Sequence, residues 1–195
     1  MRPHIEMVNG AHLRTAGHAW NAYRQPTPET WFDLLADDLD VLPHLRRTVL
    51  LLLGELPATD TALGATERLL LEVVLPGAIR PACFMHVNTQ LNVARVYRLF
   101  DEYRILNRLG GCPVPAVLGL QDATFGLASM PQPERCKHYM ASELSLSDLG
   151  RALPAGKDDF ARHNPVHRWW GGTLLTNDNL WRWDAQRQRL VPPSA

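Results

Sequence analysis

The side chains best suited to recognition chemistry lie in a segment that is predicted to form a helix over residues 91–109. Arginine pairs well with guanine, and asparagine or glutamine with adenine, when these side chains lie in the first half of a recognition helix. Two basic residues further along, in a predicted wing, could contact phosphate or a partner. The candidate partner- or DNA-binding residues are Gln90, Asn92, Arg95, Arg98, Arg135 and Lys137.

The same predicted helix also carries acidic residues. Asp101 and Glu102 would repel phosphate, and a helix-turn-helix scaffold can equally bind proteins or peptides, because a fold does not determine a function. We therefore expect a protein or peptide partner, with DNA as the alternative.

A cluster of tryptophan and arginine marks the C-terminal region, where four of the six tryptophans fall between residues 169 and 183. Arginine over indole is a favourable cation–π pair, so the cluster could form a stacking platform. The alternative that we favour is a small core in which Arg168 or Arg182 pairs with Asp184. The cluster consists of Arg168, Trp169, Trp170, Trp181, Arg182, Trp183 and Asp184.

Metal and cofactor sites have weak support. The three cysteines are widely spaced and form no Cys-x-x-Cys pair, so neither a disulfide framework nor a zinc knuckle is predicted. A mixed zinc site could be assembled only from Cys83, His86, Cys112, Cys136 and His138. We expect buried thiols instead of a metal centre, and no cofactor.

Catalysis is the second alternative function. Residues 158–184 contain His163, His167, Asp158, Asp159 and Asp184, which could supply acid and base groups if the fold brought them within hydrogen-bond distance. There is no phosphate-binding glycine loop, nucleophile elbow or His-Glu-x-x-His motif in the sequence. No residue is therefore assigned a catalytic role.

Composition limits the function further. The 195 residues hold 20 Lys and Arg against 20 Asp and Glu, a formal net charge of zero. Sequence-independent binding of a polyanion needs many uncompensated cations, so that class is excluded. The apolar runs are shorter than the ~20 residues of a membrane span, and residues 1–6 do not resemble a signal peptide. We expect a cytoplasmic protein.

The elements that position these residues fall into three predicted domains. Residues 1–57 form an N-terminal helical layer, residues 58–153 a central winged helix-turn-helix, and residues 154–195 a Trp-rich β-hairpin appendage. The fold class is mainly α, of the α+β type. Proline and glycine separate most of the periodic segments. The predicted helices are 8–24, one that begins at Pro28 with Thr27 as its N-cap, 43–55, 66–74, 81–87 and 91–109.

The predicted strands belong to the second and third domains. Segments 114–120 and 140–146 would flank the wing of the winged helix. Segments 173–176 and 180–183 would pair around a turn at 177–179, because Asn and Asp tolerate the conformations of tight turns. A third short strand is predicted at 189–191.

Several short motifs occur in a recognisable order. They are Leu42-Pro43-His44-Leu45, Gly54-Glu55-Leu56-Pro57, Leu63-Gly64-Ala65-Thr66-Glu67-Arg68, Leu146-Ser147-Asp148-Leu149-Gly150-Arg151-Ala152, His167-Arg168-Trp169-Trp170-Gly171-Gly172 and Trp181-Arg182-Trp183-Asp184. In these motifs the chain resembles the C-terminal half of an uncharacterised bacterial family of unknown function, over roughly residues 15–185. Longer members of the family have an α/β half before this region, and any ligand of that half cannot be assigned to this chain. The resemblance implies no activity.

These observations together predict a non-catalytic interaction or regulatory subunit on a winged-helix scaffold. A homo-oligomer or a hetero-complex would form through the N-terminal helices. The alternatives are a winged-helix transcriptional regulator and a small enzyme that uses the His- and Asp-rich segment.

Overall fold

The computed structural model describes residues 7–83, 99–120, 126 and 131–193. Their helices are α1 (Gly10–Tyr23), α2 (Glu29–Asp33) with a 3₁₀ turn at Leu34–Ala36, α3 (Leu45–Gly54), α4 (Ala65–Val74), α5 (Leu99–Gly110), α6 (Pro133–Ala141), α7 (Asp148–Ala152) and α8 (Phe160–His163). Their strands are β1 (Val117–Leu118), β2 (Ser145–Leu146), β3 (His167–Trp170), β4 (Thr173–Thr176), β5 (Arg182–Asp184) and β6 (Arg189–Val191). The strands form three antiparallel pairs, β1–β2, β3–β4 and β5–β6. The prediction of a mainly α fold is confirmed.

Local signals explain where several helices begin. The side chain of Asn9 accepts a hydrogen bond from the backbone N–H of Ala11 at 2.9 Å and so caps α1. The Ser147 hydroxyl accepts the N–H of Gly150 at 3.0 Å and caps α7 in the same way. No helix in the described part of the chain is both long and apolar enough to cross a membrane.

One hydrophobic core joins the two ends of the chain, and we call it the Trp core. The indole N–H of Trp170 donates to the carbonyl of Leu52 at 2.8 Å, and its ring lies edge-on to that of Tyr23 at 5.6 Å. The N-terminal helices and the C-terminal strands therefore stabilise each other by burying the same apolar surface. The Trp core consists of Ala19, Ala22, Trp31, Leu34, Leu39, Val49, Leu53, Leu56, Trp170, Leu175, Trp181 and Trp183.

A second hydrophobic core lies under the middle of the chain. It packs apolar side chains of α4 and α5 against those of β1, β2 and α7, including Leu71, Leu106, Val117 and Leu146. Tyr103 of α5 meets Tyr139 of α6 edge-on, with 5.6 Å between the ring centroids. This core holds α4 and α5 side by side.

The region of the predicted wing differs in part from expectation. β1 and β2 pair antiparallel, with Val117 opposite Leu146. The predicted strand 140–146 is wrong at its start, because α6 runs to Ala141. Pro133 in the first turn and buried Tyr139 favour the helix there. Residues 84–98, 121–125 and 127–130 lie outside the described residues, and the winged helix stays a prediction.

The predicted pairing of the C-terminal strands is wrong. Strand β4 pairs with β3, which precedes it, whereas β5 pairs with β6. The reason is the turn at Gly171 and Gly172: Gly171 has a φ of 55°, and the N–H of Gly172 donates to the carbonyl of Tyr23 at 2.9 Å. A side chain on Gly172 would overlap the carbonyl of Arg24. Only glycine permits this turn against the end of α1.

Candidate functional site: a cleft between α5 and β3

A cleft of about 500 Å³ lies between α5 and β3, with the start of α4 beneath it. Its size is in the range of ligand-binding clefts. It is lined by Glu55, Glu67, Asp101, Arg104, Ile105, Arg108, His167, Arg168 and Trp169.

The floor of the cleft is built around Glu67, whose side chain is only 4% exposed. Glu67 is the third residue of α4, and its Oε2 accepts the N–H of Gly64 at 2.6 Å. This is one half of a capping interaction, in which a side chain satisfies a backbone donor at the beginning of a helix. A local helix-start signal therefore places a carboxylate in the interior.

Two arginines from distant parts of the chain meet this carboxylate. Arg108 on α5 pairs with Glu67 Oε1. Arg168 on β3 approaches Glu67 Oε2 at 3.6 Å and also donates to the carbonyl of Glu55 at 3.0 Å. The side chain of Arg168 is only 12% exposed. The network thus ties α4, α5 and β3 to the end of α3.

Glu55, at the end of α3, completes the floor. Its Oε1 accepts the hydroxyl of Thr66 at 2.5 Å, and its Oε2 accepts the N–H of Thr66 at 3.2 Å. Glu55 therefore caps α4 from outside that helix, beside the internal cap that Glu67 makes. Gly64 lies against the Glu55 backbone, where a Cβ would come within 2.8 Å of the Glu55 carbonyl oxygen.

The two buried carboxyl groups have opposite pKa shifts. Burial raises the pKa of Glu55, and the neighbouring Glu67 adds to this, while the hydrogen bonds from Thr66 oppose it. Burial would also raise the pKa of Glu67, but Arg108 and Arg168 outweigh it and hold that pKa below its ordinary value.

The rim of the cleft is exposed and differs in character from the floor. The side chain of Trp169 on β3 is 65% exposed, although Trp170 beside it is buried in the Trp core. Arg104 on α5 is 79% exposed in its side chain and lies 4.0 Å from Asp101. The backbone alternation of a strand explains the contrast between the two tryptophans, since successive side chains point to opposite faces.

The predicted recognition residues that the structure describes do not line this cleft. Gln90, Asn92, Arg95 and Arg98 lie outside the described residues. Arg135 and Lys137 are exposed on α6 and do not line the cleft. The predicted contact through the N-terminal helices stays a prediction.

The tryptophan and arginine cluster is brought together only in part. Trp170, Trp181 and Trp183 are buried in the Trp core as predicted, whereas Trp169 is not. The predicted pairing of Arg168 or Arg182 with Asp184 is wrong, because Arg168 meets Glu67 and Arg182 meets Asp159 at 2.8 Å. Asp184 instead pairs with Arg187 and Arg189 on its own hairpin, at 3.1 Å and 3.6 Å.

The candidate metal ligands are not assembled in the described chain. No group of three His, Cys, Asp or Glu side chains able to hold a metal occurs among the described residues, and His86 lies outside them. Cys83 is exposed, and Cys112 donates to the carbonyl of Val114 at 3.3 Å. Burial raises the pKa of the Cys112 thiol. His138 is exposed on α6, the helix that also carries Cys136.

The His- and Asp-rich segment does not form one acid–base site. His163 pairs with Asp158 at 2.9 Å, and Asp159 caps α8 through the N–H of Ala161. Of the five predicted residues, only His167 lines the cleft.

Sequence reasoning missed Glu55, Glu67 and Arg108. The available signal for Glu67 was its position three residues after Gly64 at the start of an apolar helix, which is the spacing of a helix cap. Nothing in the local sequence connects Arg108 to it. No protein-family model, curated protein or solved structure matches this chain, so its function has to follow from its own residues.

Proposed function

We propose that this protein is a non-catalytic interaction protein of the cytoplasm, which holds a segment of a protein partner in the cleft between α5 and β3. The observation that carries the proposal is the contrast between a closed polar floor and an exposed tryptophan on the rim. Tryptophan and arginine are the residues most enriched where binding energy concentrates in protein interfaces.

The floor supports binding over catalysis. Both oxygens of Glu55 accept hydrogen bonds from Thr66. In Glu67, Oε1 meets Arg108 and Oε2 accepts the N–H of Gly64. A general acid or base needs a reacting proton within hydrogen-bond reach, whereas these carboxylates are engaged in holding α4. A fixed floor favours binding, because less motion has to be lost when the partner is held.

The charge of the cleft favours a protein segment over a nucleic acid. Three arginines and three carboxylates line it, and such a balance gives no continuous attraction for a phosphate backbone. The compartment is argued from the cysteines: Cys83, Cys112 and Cys136 are free thiols, which suits a reducing environment.

The test is selection of linear peptides from a displayed library on the full-length protein. We expect enriched peptides whose affinity falls about tenfold in the Trp169→Ala variant, since removal of an aromatic anchor from an interface costs more than about 1 kcal/mol. Binding is measured by fluorescence anisotropy with the synthesised peptides.

Trp20→Ala is the matched control, because Trp20 is 58% exposed and does not line the cleft. Peptide affinity should be unchanged in this variant. Failure to enrich any peptide, or equal affinity for the wild type and Trp169→Ala, would refute the proposed function.

A further inference from the structure

The register of the β3–β4 hairpin shows which backbone groups of β3 point to its outer edge. Trp169 stands opposite Leu174 in the β3–β4 pair. Antiparallel residues alternate between a pair that exchanges hydrogen bonds and a pair whose backbone groups point outwards. The carbonyl of Leu174 points outwards, because it accepts the side-chain amide of Asn179 at 2.8 Å. Its partner Trp169 therefore directs its own N–H and C=O to the outer edge of β3.

The same alternation applies two residues earlier. His167 stands opposite Thr176, whose carbonyl accepts the backbone N–H of Asn179 at 3.2 Å. Among the described residues, no hydrogen bond joins the outward backbone groups of His167 or Trp169 to another part of the chain. Unpaired strand edges of this kind are templates for an added strand.

The cleft runs along this edge. It is lined by three consecutive residues of β3, His167, Arg168 and Trp169. Successive side chains of a strand point to opposite faces, so a cleft across one face would contact alternate residues only. A cleft that contacts three in a row borders the edge, where backbone groups are accessible.

The opposite wall supplies charge. Arg104 and Arg108 on α5 line the cleft, and the carboxylate that pairs with Arg108 is itself buried. The side chain of Arg104 is 79% exposed and its guanidinium group lies 4.0 Å from Asp101, whereas the side chain of Arg108 is 34% exposed and pairs with Glu67 on its inner side. A single carboxylate from a ligand suits this wall, because guanidinium and carboxylate form charge-assisted hydrogen bonds.

We propose that the cleft takes an extended acidic segment of a partner protein, which adds a strand to the outer edge of β3 and places a carboxylate on Arg104 and Arg108. This inference rests on the proposed function and specifies the partner's chemistry. In strand addition, main-chain hydrogen bonds provide affinity and side-chain contacts provide specificity. Since β3 has four residues, the added strand spans about 13 Å at roughly 3.3 Å per residue.

The test uses three labelled octapeptides, each made of four repeats of one dipeptide: Val-Glu, Val-Gln or Val-Lys. We expect the Val-Glu peptide to bind at least about tenfold more tightly than the Val-Lys peptide. Arg104→Glu should remove most of this preference, whereas Arg47→Glu, an exposed arginine on α3 outside the cleft, should leave it unchanged. An equal affinity for all three peptides would overturn the inference.

A second measurement addresses the strand addition itself. Methylation of alternate backbone nitrogens in the Val-Glu peptide should lower its affinity about tenfold or more in one of the two methylation registers, because a main-chain donor is lost. Adding the unmodified peptide should protect the backbone amide of Trp169 from hydrogen exchange.

The outcomes separate this inference from the proposed function. If the Val-Glu peptide binds preferentially and methylation lowers its affinity in neither register, strand addition is refuted. The proposed function, binding of a protein segment in the cleft, would still stand. No binding of any of the three peptides would also refute the inference. In that case Trp169-dependent peptides from the displayed library would still support the proposed function, and only their absence would refute both.

Discussion

The two C-terminal hairpins each carry an Arg-Trp pair in their first strand but have different surroundings. The first, β3–β4, contains Arg168-Trp169, and the second, β5–β6, contains Arg182-Trp183. In the second hairpin the N–H of Trp183 donates to the carbonyl of Pro57 at 2.8 Å, so residues 57 and 58 cover the outer edge of β5. In the first, the corresponding edge at Trp169 borders the cleft.

The two hairpins differ in whether the outer strand edge is covered by another part of the chain. Arg182 is held by Asp159 and by the carbonyl of Ala58 at 2.9 Å, which locks the covered edge. Arg168 lies 3.6 Å from Glu67 and donates to the carbonyl of Glu55 at 3.0 Å, yet the edge beside it is open. Proteins normally cover or blunt such edges, because an open edge invites pairing with another chain. The open edge above the floor is the surface at which we propose that a partner binds.

The largest expected effect distinguishes the two faces of β3. Trp170→Ala should lower the free energy of unfolding by about 4 kcal/mol, because it removes a buried indole from the Trp core. Trp169→Ala should change it by less than about 0.5 kcal/mol, since the side chain is exposed. Urea unfolding of both variants measures this. Similar losses in the two variants would contradict the contrast between the buried and exposed faces of β3.

The next effect concerns the anchor of the first hairpin. Glu67→Ala should lower the free energy of unfolding by about 3 kcal/mol, because it leaves Arg108 and nearly buried Arg168 without their carboxylate. Glu72→Ala, at an exposed position of the same helix, should stay within about 0.5 kcal/mol of the wild type. If the two variants unfold alike in urea, Glu67 does not anchor β3.

A smaller effect should come from the turn of the first hairpin. Gly172→Ala would force a methyl group into the carbonyl of Arg24 and should cost about 2 kcal/mol. Gly17→Ala in α1, where nothing lies within 4 Å of the added methyl, should stabilise the protein by about 0.5 to 1 kcal/mol. Thermal unfolding should shift in opposite directions. A shift of the same sign in both would contradict the packing at this turn.

The floor also predicts a pH dependence. The pKa of Glu55 is raised in the folded protein above its ordinary value of 4.5, so the folded state holds this proton longer than the unfolded state. The contribution of Glu55 to stability is therefore greatest below pH 4.5 and declines as pH rises through the raised pKa. Glu67 behaves oppositely, because its lowered pKa gives a contribution that is present above 4.5 and is lost in acid.

The free energy of unfolding, measured from pH 3 to pH 7, checks the predicted direction of the pH dependence for Glu55 and for Glu67. As pH rises, the wild type should lose stability relative to Glu55→Gln and gain stability relative to Glu67→Gln. Difference curves without a slope would show that neither carboxyl group is perturbed.

The last prediction leaves global stability unchanged and tests the two edges directly. Trp169 and Trp183 each follow an arginine, so their unprotected amides exchange at similar rates. Because only the amide of Trp183 has a backbone acceptor, we expect it to exchange at least about tenfold more slowly than the amide of Trp169. Residue-resolved hydrogen exchange by NMR measures both. Equal protection would mean that the edge of β3 is covered.

Part of the fold could be predicted from the sequence, because its signals are local. The helices α1, α3 and α4 lie within about two residues of their predicted positions, where caps, prolines and apolar spacing define them. The burial of Trp170, Trp181 and Trp183 also followed from composition. The helix α6 was missed because its apolar residues, Tyr139 and Met140, are few and follow a polar segment.

The cleft could not be predicted, because its residues are distant along the chain. Arg108 and Glu67, which pair with each other, are 41 residues apart in the sequence. Arg168 and Glu55, whose carbonyl accepts a hydrogen bond from Arg168, are 113 residues apart. No periodicity links such positions. The turn predicted at 177–179 is present, since the N–H of Asn179 donates to the carbonyl of Thr176 at 3.2 Å, but the strands on either side of it do not pair with each other. Asn177 accepts the N–H of Val166 at 2.7 Å, and the side-chain amide of Asn179 donates to the carbonyl of Leu174 at 2.8 Å. Their side chains join the β3–β4 hairpin to its surroundings instead of turning the chain into a hairpin.

Local sequence signals were enough to predict the fold class, the main N-terminal helices, and the glycine pair that permits one tight turn. Each of these depends on backbone conformation and on neighbours within a few residues. The tertiary structure alone decided which arginine met which carboxylate, which tryptophan remained exposed, and which strand edge was covered. Those outcomes depend on which surfaces are buried together, and burial is a property of the whole packed chain.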